Sequence, residues 1–189
     1  MVERYVTGST GIVITVPECD DVVAAVRARY DPAVDYGVPP HVTVLFPWLP
    51  QASVSPDELA ALEHLAAATP AFEAALTRVG RFPGVAWLAP EPVAPFAALT
   101  RSVWVRWPQT PPYEGRFAEP VPHLTVADGQ PDEVIDAVAA ELGGALPVRF
   151  QVDALTLLCF DARRWTPLGR FPLAPHPGET KATQFSLNM

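Results

Sequence analysis

Two short segments of the chain open with the same signature and then run into aliphatic residues: Pro40-His41-Val42-Thr43-Val44-Leu45 and Pro122-His123-Leu124-Thr125-Val126-Ala127. Side chains two apart on a strand point to one face of a sheet, so each segment presents an imidazole beside a hydroxyl. Val42, Val44, Leu124 and Val126 then face the opposite way, into a core. The signatures lie 82 residues apart, each at the same place in a repeated order of strand, helix, His-x-Thr strand, helix, strand. That order predicts an internal duplication of one αβ unit about a pseudo-two-fold axis, although the halves are otherwise dissimilar.

Periodicity and punctuation give the elements around the signatures. Gly11 to Val16 is mostly β-branched and reads as a buried strand stopped by Pro17. A helix follows, with Asp20 placed to cap its first turn, Val22, Val23 and Val26 as an apolar stripe, and Arg27 and Arg29 at its C-terminal end. The loop Asp31 to Pro40 leads into the first His-x-Thr strand, which Pro47 stops. Ser55-Pro56-Asp57-Glu58 predicts a helix start, with Ser55 as cap and Glu58 closing a capping box, and the helix runs to about Ala68.

Phe72 to Val79 and Val85 to Leu88 read as strands around the turn Phe82-Pro83-Gly84. After Pro92, the spacing of Phe96, Leu99 and Val103 predicts a third helix. The loop Pro108 to Pro120 leads into a strand from Val121 to Ala127, and Pro131 opens a fourth helix ended by Gly143 and Gly144. Val148 to Phe160 and Trp165 to Leu173 read as a closing pair of strands. The stretch from Pro175 to Met189 shows no periodicity and is expected to be a flexible tail.

With 189 residues, the chain is long enough for one substantial core or two small lobes sharing an interface, and too short for two independent average domains. At 49% hydrophobic and 18% charged it has the apolar surface a core needs, which excludes disorder. No segment approaches the ~20 apolar residues of a membrane span. Met1-Val2-Glu3-Arg4 followed by a short apolar run makes a poor signal peptide, so a cytoplasmic monomer away from membranes is expected. Thirteen basic against twenty-one acidic residues give a net charge of −8, which repels a long phosphate backbone and excludes extended nucleic acid as a main partner. Cys159 lies in an apolar run and Cys19 beside Asp20 and Asp21; neither has the setting of a thiol enzyme or a disulfide framework.

An imidazole, with an unperturbed pKa of ~6.5, donates or accepts a proton near neutrality. Two of them facing one phosphodiester divide the labour: one withdraws a proton from the attacking water, and the other protonates the departing oxygen. The threonine hydroxyls donate to the non-bridging oxygens. The scheme requires no metal and no cofactor. Of four histidines, only His41 and His123 precede an x-Thr; His64 falls on a predicted helix and His176 in the tail.

In these motifs the chain resembles the two-histidine (2H) phosphoesterases, specifically the 2′-5′ RNA ligase and cyclic phosphodiesterase branch, which is defined by two H-x-[ST]-hydrophobic motifs. The resemblance spans about Gly11 to Leu173. It implies an α+β fold: a single bilobal domain over residues 1–174, made of duplicated αβ units with two antiparallel-rich sheets around a central V-shaped cleft. The lobes are expected mainly from about 1–83 and 84–174, with strand exchange between them allowed. It further implies hydrolysis of 2′,3′-cyclic phosphates or 2′-5′-linked nucleotide or RNA-end phosphodiesters. His41 and His123 match the catalytic histidines, and Thr43 and Thr125 the phosphate-binding hydroxyls; which histidine is acid and which is base stays open. Many relatives place a basic residue after the second motif, where this chain reads Ala127-Asp128.

Plainer readings stand beside these. One histidine on a strand is more often a satisfied, half-buried imidazole than a catalyst. A zinc site from the two histidines and a carboxylate has no H-x-x-x-H or acidic cluster to support it. Phe46, Trp48, Tyr113 and Arg116 flank the motifs as candidate base or phosphate contacts, or as ordinary packing at loop edges. Trp87, Trp104, Trp107 and Trp165 are expected in the core or between lobes. Asp161-Ala162-Arg163-Arg164 reads as a solvated turn rather than a phosphate clamp. A reading of another class, a non-catalytic module holding a nucleotide or RNA end in the same cleft, draws on Asp128 and the missing basic surface.

Overall fold

Alternation along the first strand decides which way it faces. In β1 (Thr10–Thr15), Ile12 and Ile14 sink into the main core while Val13, between them, joins a smaller apolar cluster on the opposite side. A computed structural model describes residues 5–176. It continues with α1 (Asp20–Tyr30), β2 (His41–Leu45), α2 (Pro56–Ala67), β3 (Phe72–Phe82), β4 (Val85–Glu91) and α3 (Val93–Arg106). Then come β5 (Leu124–Asp128), α4 (Asp132–Gly143), β6 (Val148–Val152), β7 (Ala154–Phe160) and β8 (Trp165–Pro172).

Among the described residues the strands form two four-stranded antiparallel sheets, ordered β2-β1-β7-β8 and β5-β4-β3-β6. This is the expected α+β architecture of two antiparallel sheets. Each His-x-Thr segment lies at the edge of its own sheet. The elements also reach across. Helix α1, which joins β1 to β2, packs on β5 of the second sheet, and α3, which joins β4 to β5, packs on β2 of the first. In α3 the side chains of Phe96, Leu99 and Val103 are buried, each contributing about 1.5–3 kcal/mol of transfer free energy.

Several local expectations change. The stretch from Val148 to Phe160 is not one strand. It breaks at Asp153, so that β6 pairs with β3 in one sheet and β7 with β1 in the other. Asp153 holds the break: its carbonyl accepts from Leu173 N–H (2.8 Å) and its carboxylate meets Arg170 (2.7 Å). At α1 the chain enters through a 3-10 turn over Pro17–Cys19, and Asp20 is the first helical residue, with no side-chain cap before it. Ser55 does cap α2, its Oγ accepting from Glu58 N–H at 3.2 Å. The Glu58 carboxylate, however, accepts from Trp107 Nε1–H instead of closing a box. The β3–β4 hairpin is longer than expected and turns at Pro83-Gly84, where Gly84 takes φ of 73°.

Of the expected tail, residues 177–189 lie outside the described residues. Ala174 is tied to the fold, donating to Thr69 O and accepting from Ala71 N–H. No described helix is long and apolar enough to cross a membrane.

Candidate active site

The edge strands β2 and β5 approach within 8 Å between Cα atoms, and beside them opens a cavity of about 670 Å³. His41, Thr43, His123 and Thr125 all line it. His41 starts β2, held in register against Thr15 of β1, and His123 directly precedes β5. Thr43 and Thr125 pair with Val13 and Trp87, which fixes each hydroxyl to a defined point on its sheet edge.

Both imidazoles are oriented by the same device. His41 Nδ1 lies 2.8 Å from Pro39 O, and His123 Nδ1 lies 2.7 Å from Val121 O. A carbonyl oxygen can only accept, so Nδ1 carries the proton in each ring and Nε2 is left to serve the cleft. Burial pushes the His41 pKa down to about 4; the positive charges of Arg27 and His123 add to the fall, while the Pro39 carbonyl and Asp31 oppose it. Burial also pushes His123 below its ordinary value, against the raising effect of the Val121 carbonyl. Both rings are therefore held in the neutral form at pH 7, and an anion beside them favours their protonated forms.

The supports behind the two rings differ. Behind His41 stands a buried ion pair. Arg27 donates from Nε to Asp31 (3.0 Å) and from Nη2 to Val38 O (3.0 Å), and Asp31 also accepts from Ala33 N–H at 3.0 Å. The pair ties α1 to the loop that delivers His41. Behind His123 the support is aromatic: the ring meets Phe82 edge-on at 5.2 Å, and Phe82 stacks on Trp87 at 4.9 Å. The guanidinium of Arg78 sits 5.6 Å from the Trp87 ring. Trp87 occupies the space over Gly80, where a Cβ would stand 2.4 Å from the indole.

A further element closes the cleft on the side of β2. Tyr113 and Glu114 adopt left-handed backbone, with φ of 51° and 58°, a conformation that costs a non-glycine residue roughly 1 kcal/mol or more. The conformation lets Tyr113 N–H donate to Phe46 O at 2.7 Å and brings its phenol to Thr43. Burial raises the Tyr113 pKa, against the lowering effect of Thr43, so the phenol stays protonated beside that hydroxyl.

Of the flanking residues singled out in the sequence, Phe46 and Tyr113 line the cavity. Arg116 does not: its side chain is exposed and pairs with Glu114. Trp48 is buried against Trp107, away from the cavity. Trp104 is 42% exposed on α3 rather than in the core, and Trp165 lines the cleft. In the turn at 161–164, Asp161 accepts from the N–H groups of Arg163 and Arg164, a solvated connection as expected. Both cysteines are buried and free, with Cys19 pushed up to about 12 chiefly by burial. Among the described residues no three histidine, cysteine or carboxylate side chains converge as a metal-binding group.

Sequence reasoning missed Phe82, Phe117 and Glu119, all of which line the cavity. Phe82 was within reach, since a longer β3 places it on the face shared by Gly80 and Trp87. Phe117 and Glu119 sit in a loop without periodicity and gave no signal.

A sequence profile described as the 2′-5′ RNA ligase superfamily matches residues 15–164 of this chain. Among solved structures, LigT of E. coli complexed with NADP+ is similar at 22% identity, with a TM-score of 0.56 over 90% of this chain and 99% of that one. The same E. coli protein complexed with 3′-AMP is similar at 21% identity, with a TM-score of 0.58 over 88% and 98%. TT0787 of Thermus thermophilus is similar at 20% identity, with a TM-score of 0.58 over 88% and 98%. At these identities the likeness is one of fold. No curated protein matches the chain.

Proposed function

From the premise that this chain belongs to the 2′-5′ RNA ligase superfamily of two-histidine phosphoesterases, we propose that it hydrolyses a small 2′,3′-cyclic or 2′-5′-linked nucleotide or RNA-end phosphodiester without a metal. The observation that carries the reading is the shared orientation of the rings: each Nδ1–H is spent on the carbonyl two residues upstream, which dedicates both Nε2 atoms to one cavity.

His41, held neutral by burial and by the Arg27 charge, is suited to take the proton from the attacking water. The water oxygen bonds to phosphorus, the phosphorus–ribose oxygen bond breaks, and His123, protonated at Nε2 when the anion binds, gives its proton to the departing oxygen. Thr43 and Thr125 donate to the non-bridging oxygens as charge builds on them. Each cycle leaves His41 protonated and His123 neutral, and exchange with water resets both. LigT of E. coli has been solved with nucleotides, including 3′-AMP, in keeping with a nucleotide ligand here.

Assay against nucleoside 2′,3′-cyclic phosphates and short 2′-5′ oligonucleotides, with chelator present, tests the proposal. His41→Ala or His123→Ala should lower turnover by about 10²–10⁴-fold while the fold is retained. Full activity in the double variant disposes of it. Asp128 and the absence of arginine from the described cavity wall favour a second reading, a binding module on the same fold; binding without product formation would select that one.

A further inference from the structure

Tyr113 holds a backbone conformation that its side chain opposes. With φ of 51° it lies in the left-handed region, and Glu114 follows it there at 58°. For a bulky residue that region is an outlier, whereas glycine enters it freely, as the next residue, Gly115, does at 75°. A strained tyrosine beside a glycine directs attention to what its side chain reaches.

The turn is held from several directions. Trp107, buried at the end of α3, accepts at its carbonyl from Thr110 N–H (3.0 Å) and from the Thr110 hydroxyl (2.9 Å). Pro112 is buried, Glu114 N–H donates to Pro111 O (3.0 Å), and Arg116 N–H donates to Tyr113 O (3.1 Å). The decisive tie is Tyr113 N–H to Phe46 O at 2.7 Å. Phe46 directly follows β2, so the strand that presents the Thr43 hydroxyl also sets the position of the phenol. On the loop side, the Tyr113 ring is braced edge-on by Phe117 at 5.6 Å.

Three groups thus meet on one side of the cavity, where His41, Thr43 and Tyr113 all line it. Burial keeps the phenol protonated, so it remains a donor at every pH where the imidazoles exchange protons. Negative charge builds on the non-bridging oxygens as a phosphodiester reacts, and a threonine has one proton to give them. A second hydroxyl at the same place adds a donor already set in position, and a hydrogen bond to a charged oxygen is roughly twice as strong as one between neutral groups.

We infer that Tyr113 is a catalytic residue of the proposed phosphodiesterase: its phenol O–H, set beside Thr43 by the left-handed turn and the Phe46 carbonyl, donates to a non-bridging oxygen of the reacting phosphate. The phenol keeps its proton throughout and stabilises charge while His41 and His123 move the protons. The inference rests on the phosphodiesterase reading for its reaction, but the hydrogen bond it assigns is measurable without turnover.

Tyr113→Phe removes the hydroxyl and keeps the ring, the turn and the bond to Phe46. With adenosine 2′,3′-cyclic phosphate as substrate, kcat should fall by about 10–10²-fold and KM should rise by much less, since the donor matters most where charge builds. Thermal unfolding should be little changed. Thr43→Val and the doubly substituted chain complete a cycle, in which the loss caused by Tyr113→Phe should persist in the Thr43→Val background because each hydroxyl donates to the phosphate on its own. A loss that vanishes in that background overturns the inference and leaves Tyr113 as a support for Thr43. Unchanged kcat in Tyr113→Phe also overturns it and leaves the ring as a packing surface for a base. Calorimetry with adenosine 2′-monophosphate runs beside the assay, and Tyr113→Phe should weaken binding by about fivefold or more. Weakened binding in the variant, with no turnover by the unsubstituted protein, overturns the catalytic reading and upholds the hydrogen bond to phosphate. No turnover together with equal binding, or with none, overturns both.

Discussion

The two histidines take matching orientations in dissimilar surroundings. Both rings hand Nδ1–H to the carbonyl two residues upstream, so the half-sites agree at the level of the strand. Behind the strand they part. His41 leans on a buried Arg27–Asp31 pair that also fixes the loop before it, whereas His123 leans on Phe82 and Trp87, packed over Gly80 and topped by Arg78. The duplicated motif therefore fixes only the side chains that line the shared cavity. Orientation of the ring can be supplied by charge or by aromatic packing, but the two supports fail in different ways.

The hardest way to break the comparison is to strip the charged support. Arg27→Met leaves Asp31 buried without its partner and should destabilise the fold by about 3–5 kcal/mol in denaturant titration. A loss within that of an ordinary surface substitution would remove the pair from the account of His41.

Proton linkage offers a gentler and sharper probe. The folded chain binds a proton at His41 only near pH 4, whereas the unfolded chain binds it near 6.5. Between those values the unfolded state holds more protons, so the contribution of His41 lowers stability as pH falls through that window, by up to about 3 kcal/mol. His41→Asn should flatten the curve of unfolding free energy between pH 7 and pH 4, and His123→Asn should flatten it too, since His123 is also depressed. Unchanged slopes in both variants would refute the buried-neutral assignment. On the proposed two-histidine mechanism, with both rings below their ordinary values, kcat/KM should be greatest on the acid side of neutrality.

The smallest change targets the aromatic support. Gly80→Ala places a methyl where the Trp87 indole lies and should cost about 1–3 kcal/mol of stability. Proton NMR of the histidine rings should show the His123 titration moving toward 6.5 as its packing loosens, with His41 unmoved. A shift at both rings would mean that the supports are not independent.

Sequence exposed the four cavity-lining side chains of the two motifs more fully than their supports. Pro before His, alternation after it and the repetition of both are local signals, and they led to four side chains that share a cavity. Arg27 illustrates what local signals conceal. At the C-terminal end of α1 it reads as a partner for the helix dipole, like Arg29, which does reach outward to Glu141. Yet Arg27 turns inward, and only the packing of the following loop reveals it. The break at Asp153 is hidden for a similar reason: apolar residues continue beyond it along β7, and pairing with β1 or β3 is decided by segments far away in the chain. The wall residues Phe117 and Glu119 come from a loop whose shape depends on the left-handed turn at Tyr113 and Glu114, for which neither residue type gives warning.

The order β2-β1-β7-β8 has a consequence for synthesis. As the chain leaves the ribosome, the first two strands to emerge must wait for the last two before their sheet is complete, while β3 goes to β4 and folds into the other sheet. Such distant pairing delays assembly. A polypeptide released after α4 would already hold both histidines and both threonines, yet it would lack β7 and β8, on which one wall of the cleft is built. The cavity that holds the four side chains is thus complete only once β7 and β8 have joined their sheet.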